Sequence, residues 1–300
     1  MIDLHIHTTY SDGTDSVIEI LKKAQDTGLE VISITDHNTC AAYEELKNFN
    51  VESIYKGKII VGAEFTTSFE GRIIEVLGYG FDKKQVNDFL VKYYSLALVK
   101  ERAQVLYNRL LELIKMNGLL FKKENVEKSN NGNEFFEREI YKELVRYDEN
   151  REILKEDIWD SFSDFYRKGL TNQESKLYMN YPEFRPSLRE IIDLIHNSGG
   201  IVFLAHPYQY KVFDTANFID RMYNKYEFDG IECFYTTFSE EQSAYLVNFA
   251  KDRKLLISGG SDYHGANKKN HELGIGRGNL TIKKNIIVNW PVKAESSRNV

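Results

Sequence analysis

Short apolar runs recur along the chain, and most of them stop at a histidine or a carboxylate. They read Ile2 to His7, Val31 to Ile34 before Thr35-Asp36-His37, Ile59-Ile60-Val61 before Gly62-Ala63-Glu64, and Ile73 to Leu77 before Gly78. Later come Ile201 to Leu204 before Ala205-His206-Pro207, Gly230 to Phe234, and Leu255-Leu256-Ile257 before the stretch Ser258 to His264. Their length, β-branched content and Gly, Pro or Asp boundaries predict buried strands. Helical patterns separate several of them. Ser16 to Thr27 places Val17, Ile20, Leu21 and Ala24 on one face and stops at Gly28, and Ser187 to Ser198 does the same with Leu188, Ile191, Ile192 and Ile195 before Gly199-Gly200. Alternating strands and helices predict a parallel sheet with right-handed crossovers, whose chemistry sits at the carboxyl ends of the strands.

The alternation breaks between about residues 84 and 185. From Phe89 to Asn117 the positions Leu96, Val99, Ala103, Leu106, Leu110 and Leu113 follow three- and four-residue steps, closed by Gly118, and predict one long helix. Asn130-Asn131-Gly132-Asn133 reads as a turn or loop, and further helices are expected over Glu134 to Arg146 and Ile153 to Lys168. Setting this stretch aside leaves about 200 residues for seven strand–helix units, close to the allowance of a barrel. The expected organisation is α/β: a discontinuous barrel, 1–83 with 186–293, and a helical insert or cap domain, 84–185, with a frayed tail from Ala294.

Composition narrows the setting. The 300 residues are 42% hydrophobic and 28% charged, with a net charge of −6, so no global field draws the chain to nucleic acid or an anionic membrane. Cys40 and Cys233 are too few for a disulfide framework and have no neighbour to form a zinc knuckle. No apolar run approaches the roughly 18 residues of a membrane span, and the N-terminus lacks the regions of a signal peptide. A cytoplasmic, soluble protein with no membrane partner and no obligate protein partner is expected.

The polar ends of the strands carry the chemistry. Five of the seven histidines lie in His5-x-His7, Asp36-His37, Ala205-His206-Pro207 and Asp262-x-His264. His5 and His7, two apart on a strand, point the same way. Carboxylates join at Asp12 in Ser11-Asp12-Gly13 and at Glu64. Imidazole with carboxylate suits zinc, manganese or iron, and the lack of thiolates argues against a structural zinc site. His196, in a helix, and His271, in a loop, are expected to be structural. Arg277, in Gly274-Ile275-Gly276-Arg277-Gly278, and Arg185 are candidate phosphate-binding residues, Arg185 and with it Arg72 being the lesser candidates and expected to be solvated.

The order and phrasing of these motifs resemble the polymerase and histidinol phosphatase (PHP) superfamily of metal-dependent phosphoesterases. The matching words are Asp3-Leu4-His5-Ile6-His7 with Ser11-Asp12-Gly13, Thr35-Asp36-His37, Gly62-Ala63-Glu64, Val76-Leu77-Gly78-Tyr79, Leu204-Ala205-His206-Pro207 and Gly259-Gly260-Ser261-Asp262-Tyr263-His264. The resemblance implies a distorted seven-stranded (β/α)7 barrel with a trinuclear centre of up to three divalent ions, manganese, iron or zinc, with magnesium also possible. It implies His5, His7, Glu64 and Asp262 on the first ion, Glu64 and His206 on the second, and Asp12, His37 and His264 on the third. Relatives with Val-Leu-Gly-Tyr carry a histidine immediately before it for the second ion; here Glu75 stands there. Glu75 either ligates in its place, favouring manganese, magnesium or iron, or leaves that site weak. Asp36 is expected to fix a ligand histidine from behind, and Glu232 to do so or to be structural.

Phosphoester hydrolysis needs a nucleophile at neutral pH and cancellation of phosphoryl charge, and a metal-activated hydroxide attacking in line supplies both. His206, His264 and Asp262 are the expected catalytic residues, first as ligands and, for the histidines, as proton carriers. The expected substrate is a phosphorylated small molecule, either a nucleotide (a nucleoside monophosphate or 3′,5′-bisphosphonucleotide) or the 5′ end of a short RNA oligonucleotide. Histidinol-phosphate hydrolysis, a cyclic-amide hydrolase and a catalytically decayed nucleotide-binding module are the alternatives.

Overall fold

The computed structural model describes residues 1–129, 136–292 and 295–296. Nine strands are present among them: β1 Ile2–Ile6, β2 Val31–Ile34, β3 Lys58–Ile59, β4 Gly62–Phe69, β5 Arg72–Tyr79, β6 Ile201–Leu204, β7 Gly230–Tyr235, β8 Leu256–Gly260 and β9 Glu295–Ser296. They form a four-stranded sheet in the order β1-β2-β3-β9 and a five-stranded sheet in the order β4-β5-β6-β7-β8. The sheets meet through single bridges, Ile6 to Tyr263 and His37 to Glu64, rather than through ladders. The α/β class matches expectation, but these ladders do not draw a closed seven-stranded barrel.

The main departure lies at β4 and β5. Gly62-Ala63-Glu64 opens an eight-residue strand instead of ending one, and β4 folds back on β5 as a hairpin with Phe69 opposite Arg72. The two turn residues, Glu70 and Gly71, both have positive φ, as a tight two-residue hairpin turn requires. β5 is therefore antiparallel to both of its neighbours, whereas β6, β7 and β8 run parallel. Every residue of β1, β2 and β6 is buried, which explains why those strands read as apolar runs, interrupted only by Asp3, His5 and Ser33.

The two flanking helices form as their patterns predict. Val17–Asp26 and Leu188–Asn197 each begin with a reciprocal cap, Ser16 with Glu19 and Ser187 with Glu190, and bury the predicted apolar face. The long helix expected over Phe89 to Asn117 is instead two, Lys83–Tyr94 and Leu96–Met116, broken where Ser95 adopts an extended conformation. The helix expected over Ile153 to Lys168 is also replaced: Glu149–Ile153 ends there, and after a bend a short helix, Phe162–Asp164, runs into a π-helical turn, Phe165–Leu170. Phe136–Leu144 lies within the expected second helix, while the expected Asn130 to Asn133 turn falls outside the described residues. Near the tail, Glu295–Ser296 pairs with β3 rather than fraying.

Two interiors result. Val86 and Leu90 pack with the strand scaffold, whereas Leu106, Leu110, Ile140, Leu144, Phe165 and Met179 build a separate core that meets the sheet at Ile73 of β5. No helix among the described residues is long and apolar enough to cross a membrane.

Candidate metal centre

The strand scaffold gathers the histidines and carboxylates around Glu64. One of its oxygens, Oε2, lies 3.2 Å from His5 Nε2, 3.3 Å from His7 Nε2 and 3.2 Å from His37 Nδ1. The other, Oε1, lies 2.8 Å from His206 Nε2. Asp262 Oδ1 adds contacts of 3.5 Å to His5 and 3.3 Å to His7. Two donors each about 2.1 Å from one ion, at right to tetrahedral angles, stand roughly 3.0–3.4 Å apart, so these spacings suit a shared cation. Three groups of ligand atoms converge: His5, His7 and Glu64; Glu64, Glu75 and His206; and His7, Asp12, His37 and His264. Every residue expected to ligate a metal thus stands in or against one of them.

Close backbone approach is needed to bring these strands together. A Cβ on Gly260 would sit 2.4 Å from the His5 Cβ, and one on Gly13 would sit 2.6 Å from the His7 carbonyl oxygen. Beyond Gly260 the chain turns through Asp262 at φ +52°, a left-handed conformation that a non-glycine residue adopts at a cost and that is concentrated at functional sites.

A second layer of hydrogen bonds sets which ring nitrogen faces inward. Glu232, inside β7, accepts from His5 Nδ1 at 2.9 Å with one oxygen and from the His206 backbone N–H at 2.7 Å with the other. His264 Nδ1 donates to the Asp262 carbonyl at 2.9 Å. His7 Nδ1 lies 3.3 Å from Ser11 Oγ, which itself donates to Asp36 at 2.6 Å. Assigned from this network, the Nε2 lone pairs of His5, His7 and His264 point into the centre, which is the tautomer a metal ligand needs. Asp36 thus acts one step further out than expected: it touches no histidine and instead holds Thr8 and Ser11.

The charges agree with a site built for cations. Burial alone would raise the Glu64 carboxyl, but His5, His37 and His206 hold it well below the usual range. Burial disfavours charge on His7, yet the Asp262 and Glu64 carboxylates outweigh it and raise the imidazole to about 9. Burial and the neighbouring His7 charge bring His264 down to about 4. His7 Nε2, Asp12 Oδ1 and His37 Nδ1 are buried atoms without a hydrogen-bond partner, at the places where a cation would satisfy them. On both counts the residues present fit divalent ions.

Four side chains to which the motifs assign no role complete the surroundings. Tyr235 donates to Asp262 Oδ2 at 2.6 Å, and the Lys268 ammonium pairs with the same oxygen, leaving Oδ1 to face the histidines. Asp3, fully buried, accepts from Ser261, Gly274 and the His5 N–H, and so joins the β1 and β8 ends. Arg167 donates to Glu75 at 2.8 Å. Glu232 and Asp3 left a signal, a charge inside an apolar strand; Lys268 and Arg167 left none.

A cleft of about 590 Å³ opens beside the third group, lined by Tyr10, Asp12, His37, Glu75, Tyr94, Tyr166 and Arg185 among others. Of the two arginines expected to bind phosphate, Arg185 stands in this cleft. Arg277 does not: it is exposed and borders a separate hollow with Lys269, Asn270 and Glu272. Arg72 is not solvated but ties β5 to Asn172 and the Arg167 carbonyl. His196 pairs with Asp229 at 2.7 Å on the surface, and His271 is buried in its loop.

Comparison with known proteins gives a consistent picture. A family model described as PHP domain matches residues 3–206. The chain is 26% identical over 269 residues to a 5′-3′ exoribonuclease of Haemophilus influenzae, covering 87% of this chain and 89% of the relative. It is 24% identical over 281 residues to the phosphoribosyl 1,2-cyclic phosphate 1,2-diphosphodiesterase of Eggerthella lenta, covering 88% and 94%. Among solved structures, a protein of Bifidobacterium adolescentis provisionally designated a metal-dependent phosphoesterase superposes with a TM-score of 0.62 at 22% identity, covering 95% of this chain and 93% of that one.

Proposed function

The chain belongs to the PHP domain family and is a metal-dependent hydrolase of phosphoester bonds, and from that premise we propose that its substrate is a phosphorylated nucleotide or the 5′ end of a short RNA. The observation that carries this reading is the cleft, which has ligand residues at one side and a guanidinium with aromatic rings at the other. Arg185 forms no ion pair among the described residues and lies between Tyr94, Tyr166 and Tyr181, whose oxygens raise its pKa despite burial. A half-buried guanidinium that makes no direct ion pair among those residues, with Glu137 acting on it only from beyond Tyr181, is suited to receive a substrate phosphate in a bidentate grip. Tyr10 and Tyr94 offer ring faces on which a base can stack. The name of the Haemophilus relative, an exoribonuclease, points the same way.

Divalent ions, manganese, iron or zinc, would be held by His5, His7, Glu64 and Asp262 and by Asp12, His37 and His264, with Glu64, Glu75 and His206 the remaining group of converging ligand atoms. Bound there, they would supply a water ionised near neutral pH and a positive field for the phosphoryl oxygens. The chain's own residues do the rest. Glu232, Ser11 with Asp36, and the Asp262 carbonyl keep the histidine rings oriented; Tyr235 and Lys268 hold Asp262 by one oxygen; and Arg185 anchors the phosphate that is not cleaved. Among the described residues His206 has no hydrogen-bond partner on Nδ1, and we assign it to carry a proton to the leaving oxygen.

The test is phosphate and nucleotide release by manganese-reconstituted protein from AMP, a 3′,5′-bisphosphonucleotide, a 5′-phosphorylated RNA and histidinol phosphate. Turnover of the nucleotide substrates, lost in an Asp12→Ala, His264→Ala variant, is expected. Turnover confined to histidinol phosphate would overturn the nucleotide reading.

A further inference from the structure

Arg167 lies in the π-helical turn Phe165–Leu170, a backbone form that occurs mainly as single turns at functional sites. Its Nη2 donates to Glu75 Oε2 at 2.8 Å and its Nη1 to the Ile73 carbonyl at 3.3 Å. The guanidinium carbon sits 5.5 and 5.6 Å from the ring centres of Tyr166 and Tyr210, and only 15% of the side chain is exposed. This is a fixed cation, because arginine does not lose its proton in proteins.

The oxygen of Glu75 that comes nearest His206, at 3.8 Å, is that same Oε2. An ion seated among Glu64, Glu75 and His206 would approach the same Glu75 oxygen that already accepts from Arg167, and would stand beside a permanent positive charge. Glu64 is shared with the first group, so Glu75 is the carboxylate this group has to itself, and Arg167 already neutralises it.

We propose that Arg167 takes the place of the second ion: the guanidinium is the resident cation of the Glu64–Glu75–His206 group, and the centre keeps two divalent ions, one with His5, His7, Glu64 and Asp262 and one with Asp12, His37 and His264. This rests on the metal-dependent reading above and specifies its stoichiometry. It also gives the substitution of glutamate before Val76-Leu77-Gly78-Tyr79 a physical partner, since a carboxylate at that position recruits an arginine as readily as a metal. The positive charge is then built into the chain, independent of metal supply, and it fixes the π-helical turn against β5.

The experiment counts manganese per chain by inductively coupled plasma mass spectrometry after reconstitution and gel filtration. Two ions are expected for the unmodified protein and three for Arg167→Met, which frees Glu75. Anomalous diffraction from manganese-grown crystals of the unmodified protein gives a second reading, with peaks at the first and third groups and none between Glu75 and His206; it decides the matter if Arg167→Met fails to fold. Three ions or a peak at the second group in the unmodified protein would overturn the assignment, as would two ions in both proteins. No bound ion at all would overturn the metal-dependent reading itself, and this assignment with it.

Discussion

The two walls of the cleft are built on opposite plans. On the strand side, chemistry sits at residues locked by buried hydrogen bonds: His5 by Glu232, His7 by Ser11, and Asp262 by Tyr235 and Lys268. On the insert side, Tyr94, Tyr166 and Arg185 are carried by helices and turns; Tyr166 packs on the insert's own core and Arg185 lies over Tyr181 of it, while Tyr94 packs with the strand scaffold. In the first wall, His5, His7, His264 and Asp262 have little freedom to vary, because each depends on an outward partner. The second presents rings and one cation to a space whose shape its own core sets. Under the proposed function, reaction and selection fall to two differently packed regions of the molecule.

That division can be broken in a definite order. Asp262→Ala, on the strand side, should lower phosphate release about a hundred- to thousandfold, the scale of losing a preorganised charge, in a steady-state assay; a tenfold loss would mean the centre is more adaptable than described. Leu110→Ala, fully buried in the insert core, should cost about 2–5 kcal/mol by denaturant unfolding while the bound metal count is unchanged. Loss of metal in that variant would show the halves to be one unit. Glu232→Gln should weaken metal affinity about ten- to a hundredfold in chelator competition, because His5 then loses a charged acceptor. Arg185→Met should raise KM for a 5′-phosphorylated RNA about tenfold, with kcat nearly constant, as expected of a charged hydrogen bond made equally in ground and transition states.

What the sequence disclosed follows the same line. His5, His7, His37, His206, Asp262 and His264 stand out because they lie in or just beyond apolar strand runs, whereas Asp12 and Glu64 join them through the motifs that resemble the PHP family. The β4–β5 hairpin was not found, since Ile59 to Glu64 reads as one strand and its end, and only the Glu70-Gly71 pair hints at a turn. Arg167 was beyond reach: its neighbours in the chain are helical, and its partner Glu75 lies some 92 residues away. Arg277 misled for the converse reason, because glycines around an arginine suggest a phosphate loop wherever that loop happens to lie.

The segment that carries the insert, together with the helix Leu188–Asn197, leaves the sheet after Tyr79 and the chain returns at Ile201, and these two residues face each other on neighbouring strands. Its entrance and exit therefore occupy one doorway. A segment hung on such a doorway can grow, shrink or be exchanged without moving either doorpost, since the closure cost rises only slowly with the length spanned. Lineages can then acquire new substrates by refurnishing a single room, while the strands that do the chemistry are inherited untouched.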